Sequence, residues 1–485
     1  MIKSVSNRVF CAVNHGSEFV SDAGSHRTAI LCGLSAAVLA ATVIYSHWII
    51  VVLVATCSAL LAIFENELFL LTTVFCIPLA SSMQVGSPLH DLPGALRFLT
   101  ALSFLCGRVL RNDFELSGLI RSPISRLSLG FLTVTIASFL IGSAVWTQFS
   151  SHSLYRLISY LAFFYFIASW ADCRLRIVKV LRVLLYSTIA TSGFALLQEL
   201  VKGYTSFWLF LYPPNDTFIE WEGRATSFLG YSNSLAGYLN LLLPLALAFS
   251  VVGNNSWKRL GRGTCVMGLV ALISTQSVGA LAAFVVIIGM AIVRFATKRR
   301  DKITLFSVLC VLLCVSYLLR TILNPSHSSA ALGPDATIRV VLWSIAWGFF
   351  KSSPLLGVGW GNFVGLYGSY TSSFSSMIPA GVFAVHNIYL QLLAETGIIG
   401  LVVFLCLMRK SWQLGNALRT SDDFVSVALA FGIQGAIVSV LVHGLVDFLF
   451  QVSPQFGSLF WGLVAIGVAM ERLNRARSVI SIRRA

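Results

Sequence analysis

Long apolar runs separated by short basic segments set the plan of this chain. Runs long enough for a helix to cross a bilayer fall at residues 29–45, 48–64, 67–83, 94–110, 128–148, 153–171, 180–201 and 228–252. Others fall at 303–323, 387–408, 424–443 and 455–470. Polarity does not alternate within them, which speaks against barrel strands. One further run, 264–295, is too long for a single untilted crossing and short for two. Lys258, Arg259 and Arg262 precede it, and Lys298, Arg299, Arg300 and Lys302 follow it. Basic residues collect on the cytoplasmic side of a membrane, so both ends of this run face the same compartment. It is therefore expected to be a hairpin or re-entrant pair turning near Ser274–Gly279. Such a turn must be buried in protein or line a wet cavity.

The pattern predicts an all-α, polytopic transmembrane helical bundle of about 12–14 spans. With the hairpin in place, the two longest loops, 202–227 and 324–386, lie on the same outer side. A single crossing at 264–295 would put them in opposite compartments, where they could not share a site. The expected organisation is a cytoplasmic segment at 1–28 and transmembrane helices over 29–201. A core over 202–455 follows, carrying both outer loops, and then a last span and basic tail at 456–485. The longer loop is expected to hold short helices, because Asp335 to Trp347 reads as an amphipathic helix lying near the membrane surface. No cleavable signal peptide is expected, since the first 28 residues are polar.

Composition agrees. The chain is 57% hydrophobic and only 11% charged, with a mean hydropathy of +0.83, against about 25% charged for soluble proteins. The net charge of +15 does not point to nucleic acid. Its lysines and arginines cluster between the apolar runs, as at Arg174, Arg176 and Lys179, so the charge reports topology. The ten cysteines fall in spans or cytoplasmic segments, which argues against disulfides and against a CxxC metal site.

Against this background the segment from Val385 to Gly397 stands out. Asn387, Gln391 and Glu395 recur at i, i+4 and i+8, forming a polar stripe on an apolar helix, with His386 at its mouth. Arg224 precedes a helix that opens Ser232-Asn233-Ser234, where free N–H groups and a guanidinium would form an anion site. The same residues equally allow a plain anchor, with Arg224 paired to Glu220 or Glu222. Arg339 opens the amphipathic helix, and Asp335 would neutralise it in the blander reading. Arg224, Arg339 and Lys351 are basic residues in outward segments, against the general trend. His443 and Asp447 form a second i, i+4 pair, able either to orient a site or to make a structural hydrogen bond. The glycines of Pro354-Leu355-Leu356-Gly357-Val358-Gly359 look superficially like a phosphate loop. No strand precedes them and no Gly-Lys-Ser/Thr follows, so turn glycines are the better reading. No metal site is expected: Asp422 and Asp423 are cytoplasmic, and Glu220 with Glu222 is too sparse for a hard cation.

Over roughly residues 215–455 this ordered set resembles the O-antigen ligase superfamily, which includes lipopolysaccharide O-antigen ligases, Wzy-type polysaccharide polymerases and some protein O-oligosaccharyltransferases. The resemblance rests on the His386-Asn387 helix with Glu395 and Gly397, on Pro354–Gly359 with Arg339 upstream, on Arg224 with Asn233-Ser234-Leu235-Ala236, and on the run from His443 to Pro454. Two positions depart from the pattern. Ser232 stands where the family often has Pro, and Val278 stands where it often has Arg.

The resemblance implies an undecaprenyl-pyrophosphate-linked glycan donor and a glycan or lipid A–core acceptor. The enzyme would sit in a bacterial inner membrane among membrane lipids, its active site would face the periplasm, and it would need no cofactor or nucleic acid. His386 would be the catalytic base. Arg224, Arg339, Asn233 and Asn387 would bind substrate, and Gln391, Glu395, His443 and Asp447 would support. Physically this fits: arginines can hold a departing pyrophosphate without a metal, and an imidazole can take the acceptor proton. Attack opposite the leaving group implies inversion. The rival reading is a transporter or flippase for polysaccharide or lipid, without transferase activity.

Overall fold

The computed structural model describes residues 48–78, 92–111, 122–142, 148–200, 224–295, 303, 307, 334–371 and 384–484. The runs at 29–45 and 303–323 and the Glu220–Glu222 segment therefore lie outside the described residues, apart from positions 303 and 307. All regular structure among the described residues is helical. The N-terminal helices are α1 (Trp48–Ile63), α2 (Glu67–Phe75), α3 (Leu92–Leu110), α4 (Pro123–Ile141), α5 (Gln148–Trp170) and α6 (Arg174–Leu200). The middle of the chain gives α7 (Ser232–Val252), α8 (Asn255–Ser274), α9 (Val278–Phe295), α10 (Pro334–Ser352) and α11 (Phe363–Thr371). The remainder forms α12 (Ile388–Leu418), α13 (Phe424–His443), the short α14 (Leu449–Val452) and α15 (Pro454–Arg484).

Seven helices among the described residues are long and apolar enough to cross a membrane: α4, α6, α7, α9, α12, α13 and residues Pro454–Arg477 of α15. The chain is a polytopic helical membrane protein. The run at 67–83 differs from expectation. Its helix α2 has 9 residues, about 14 Å at 1.5 Å per residue, against a hydrocarbon core of about 30 Å. A turn at Cys76–Pro78 ends it, and Pro78 cannot continue a helix.

The 264–295 run is indeed two helices that reverse. α8 ends where α7 begins, since Ala225 N–H donates to Ser274 O at 3.0 Å. α9 then runs back along α13: Gly279 abuts His443, and sixteen residues later the Phe295 ring lies 5.0 Å from that of Phe431. The break is Thr275-Gln276-Ser277, with Gln276 at φ 52°. One detail is new. α8 already starts at Asn255, whose N-cap Asn254 accepts from Trp257 N–H at 3.1 Å. Lys258, Arg259 and Arg262 thus ride on a helix instead of a loop.

In lipid, helices gain little from the hydrophobic effect against one another, so close packing and complete backbone bonding hold such a bundle. α7 and α13 form its centre, and most residues of both are buried. α8 and α9 pack on α7, α12 packs on α13 and α4, and α15 packs on α5. At one end, ion pairs join the interhelical turns: Arg174 to Asp423 at 2.7 Å, Arg108 to Glu65 at 2.7 Å and Lys179 to Glu67 at 2.8 Å. The opposite end gathers the starts of α7, α9 and α12 with the ends of α8 and α13. Arg224 of the first expected outer loop and His386 of the second both lie toward that end, on Thr275 and Asp447 respectively.

Candidate active site

The site is built on the first turn of α12. Asn387 caps it, its Oδ1 accepting from the N–H groups of Tyr389 and Leu390, both at 3.0 Å. Its Nδ2 donates to Leu445 O at 3.0 Å, and Ile388 N–H donates to Gly444 O at 2.7 Å. One residue therefore ends the helix, satisfies its first donors and ties it to the turn after α13. The rest of the polar stripe also serves backbone. Gln391 Oε1 accepts from Val385 N–H at 3.0 Å, and Glu395 Oε1 accepts from Phe363 N–H at 3.1 Å. Gln391 and Glu395 are fully buried. In the membrane an irregular loop needs such partners, because water cannot supply them.

Lower in α12 the helix is broken at Gly397, at φ 64° and ψ −167°. A side chain there would collide with Leu355 O, and one at Gly357 would collide with the Glu395 carbonyl. The break frees two carbonyls and two N–H groups, and the 354–359 loop takes all four. Val358 N–H donates to Ala394 O (2.8 Å), Gly359 N–H to Glu395 O (3.2 Å), Ile398 N–H to Pro354 O (2.9 Å) and Ile399 N–H to Leu355 O (3.4 Å). The segment reminiscent of a phosphate loop is thus a backbone insert, with its glycines at positive φ for turns. Ser138 of α4 also donates to Glu395 O, while Ser150 of α5 bonds to Asn362. Asn362 Nδ2 donates to Gly142 O at 3.0 Å. The N-terminal helices clamp the loop.

These contacts present His386. Trp343 of α10 donates its indole N–H to Val385 O at 3.0 Å, fixing the preceding peptide. His386 itself is held at φ 52°, a region costly for a non-glycine residue and found where structure over-determines it. Ser227, Gln276 and His386 share this feature at the same end of the bundle. His386 Nδ1 lies 3.3 Å from Asp447 Oδ1; its side chain is 19% exposed and that of Asp447 1%. Burial works against the Asp447 charge, but the hydrogen bond and charge of His386, the charge of His443 and the Phe448 N–H outweigh it. Together they hold the carboxyl below its usual range. Asp447 Oδ2 and His443 Nδ1 are buried without hydrogen-bond partners.

The i, i+4 side-chain pair expected between His443 and Asp447 is replaced by this one. α13 stops at His443 with Gly444 as its C-cap. The chain then turns, and Asp447 faces His386, just ahead of the α12 cap. The hydrogen bond between the two is a backbone one, Asp447 N–H to His443 O at 3.1 Å, and their side chains interact through charge.

Both arginines belong to this end. Arg224 Nε donates to Thr275 O at 2.8 Å, and its NH2 donates to Asn233 Oδ1 at 3.1 Å. Asn233 Nδ2 donates in turn to Tyr231 OH at 3.2 Å. The Thr275 turn leads directly to Gly279, which touches His443 and Val446. Arg339 sits on α10 one turn before Trp343, and its charge bears on His443. His386, Asp447, His443, Arg224 and Arg339 are thereby drawn toward one end, whereas Asn387, Gln391 and Glu395 lie beneath as support. Trp343, Thr275, Asn362, Ser138 and Ser150 were not anticipated as holding the site. Small buried polar residues in apolar helices are too common for sequence to single them out. Among the described residues, no three His, Cys, Asp or Glu side chains gather as a metal site.

Residues 263–405 match the family model described as O-Antigen ligase (Wzy_C). The matched stretch runs from within α8 to the middle of α12, so it takes in Arg339, the 354–359 loop and His386 and leaves Arg224, His443 and Asp447 outside. No curated protein matches the chain. The family match supports membrane glycan transfer of the ligase or polymerase type in general. Over residues 263–405 this polytopic membrane protein is similar to the O-antigen ligase family.

Proposed function

We propose that the protein is an inverting, metal-independent transferase that moves a glycan from undecaprenyl pyrophosphate to an acceptor hydroxyl. It would work in surface polysaccharide synthesis at the periplasmic face of a bacterial inner membrane. The observation that carries this is the buried Asp447 carboxylate on His386 Nδ1, at the bundle end where Arg224 and Arg339 also lie.

His386 takes the proton of the acceptor hydroxyl on Nε2, and the acceptor oxygen forms a bond to the anomeric carbon. The bond from that carbon to pyrophosphate breaks, and the leaving group departs with the electron pair. Asp447 fixes the imidazole tautomer and stabilises the imidazolium as it forms. Arg224 and Arg339 face the charge that builds on pyrophosphate, the task a metal would otherwise perform. Attack from the side opposite the leaving group inverts the anomeric carbon. Asn387 and Asn233, whose side chains are engaged with the protein itself, serve this site by positioning His386 and Arg224. The working unit is the core over 202–455, braced by α4 and α5.

The test uses purified protein in nanodiscs with an undecaprenyl-pyrophosphate-linked glycan and a lipid A–core acceptor. The expected result is glycan joined to acceptor with inverted anomeric configuration, in the presence of chelator. Movement of the donor across the bilayer without bond formation would support a flippase instead.

A further inference from the structure

α8 has two opposite faces. Trp257, Gly261, Thr264, Gly268 and Ala271 form the buried one. The rotation of the helix about its own axis is fixed from that side. The Trp257 ring stacks on Phe249 at 4.1 Å and lies 5.1 Å from the Arg182 guanidinium carbon. The other face is exposed, and it changes character along its length. Arg259 and Arg262 lie at its start, and Val266 and Val270, 64% and 46% exposed, follow toward the middle of the helix. At 100° per residue these four fall on one stripe. Gly263 sits between the charged part and the apolar part, and a side chain there would meet nothing within 4 Å. The stripe offers two cations, a notch and an apolar run, in the order of a phospholipid's phosphate, glycerol and acyl chain.

Charge sets this end of α8 apart from its neighbours. The Phe249 ring also meets that of Phe424, which places the start of α8 at the bundle end that carries the ion pairs. There Arg174, Arg176 and Lys179 of α6 are each matched by an acid, namely Asp423, Asp172 and Glu67. Residues 223–300 hold no Asp or Glu, and among the described residues no ion pair includes Arg259 or Arg262. A guanidinium at a membrane interface with no carboxylate to meet is suited to a phosphate, which it can hold through two parallel hydrogen bonds. The exposed valines above it favour a phosphate that carries acyl chains over a free one or an acidic protein.

We infer that the exposed face of α8 binds an anionic phospholipid of the leaflet opposite the active site, with the phosphate on Arg259 and Arg262 and an acyl chain along Val266 and Val270. Lys258, on the flank of the same face, adds to the positive field. Binding here does not depend on the transfer reaction, and its test reads no turnover.

Phosphatidylglycerol bearing a diazirine on one acyl chain, diluted into phosphatidylcholine nanodiscs that hold the protein, provides the test. The discs are photolysed and the adducts mapped, with phosphatidylcholine bearing the same diazirine as the control at equal mole fraction. In wild type the anionic probe should label residues 263–270 about tenfold more than the control probe. The double variant Arg259→Gln, Arg262→Gln should lose that excess. It leaves the Thr275 turn untouched, about 20 Å along the helix from Arg262, so its unfolding temperature in phosphatidylcholine alone should match wild type. Gly263→Leu fills the notch, keeps both charges and should also lose most of the excess, so it decides the matter if the double variant unfolds early. Inorganic phosphate, compared with chloride at the same ionic strength, should leave the labelling intact. Equal labelling of 263–270 by the two probes in wild type would mean ordinary boundary lipid and would overturn the assignment. An excess that survives in the folded double variant, or one that inorganic phosphate removes, would overturn it as well.

Discussion

Asp447 and His386 are 61 residues apart in sequence and 3.3 Å apart in the fold. The contact joins the turn after α13 to the residue before α12, so it exists only when both helix ends are correctly placed. Asp447→Asn keeps the shape and removes the charge that stabilises an imidazolium. The expected outcome is a fall in kcat of about 10²-fold with KM for donor and acceptor nearly unchanged, and a shifted acid limb in the pH profile of kcat. A purely structural role would lower both forms of activity together and leave the pH profile in place.

The same pair makes a prediction about stability. The Asp447 carboxyl is held below its usual range when folded. A depressed carboxyl contributes stability above its unfolded value, and that contribution is lost as pH falls through the folded one. Wild type should therefore unfold at higher temperature than Asp447→Asn near neutral pH, with the gap closing below about pH 4. Thermal unfolding of both proteins across pH 3 to 8 (about the usable range) measures it, and a gap that widens in acid would contradict the account.

Gly397→Ala should destabilise the protein. Its backbone lies where only glycine is comfortable, at φ 64°, a strain of about 1–3 kcal/mol before the collision with Leu355 O is counted. The exchange of backbone bonds with the 354–359 loop would be lost with it. A lowered unfolding temperature, with weakened transfer, is the expected readout.

Arg224 bridges Thr275 O and Asn233 Oδ1 with two different nitrogens. Lysine offers one point charge and cannot reproduce that fork. Arg224→Lys is expected to raise the donor KM and lower kcat, together costing about 10²-fold in kcat/KM, with inorganic pyrophosphate becoming a poorer inhibitor. Arg339→Ala should do the same while leaving the Thr275 turn intact.

Much of this was legible in the sequence. Charge parity alone required the reversal at 264–295, since Arg262 and Lys298 had to share a side. The i, i+4, i+8 spacing from Asn387 to Glu395 showed a buried polar face. Two things were not legible. The partner of Asp447 depends on the path of the turn after α13 ends at His443, and local sequence does not report which residue that turn brings to His386. The role of 354–359 depends on a helix break 40 residues away at Gly397, and local sequence reports no long-range backbone pairing. In the 67–83 run, apolar content alone does not reveal the turn at Cys76–Pro78.

The central claim is that His386 removes the acceptor proton. Single-turnover transfer from an undecaprenyl-pyrophosphate-linked glycan, compared between wild type and a folded His386→Ala protein with donor bound at saturation, tests it most directly. The account predicts a rate lower by about 10²–10⁴-fold with donor affinity unchanged. Transfer within a factor of about two of wild type would show that another group accepts the proton.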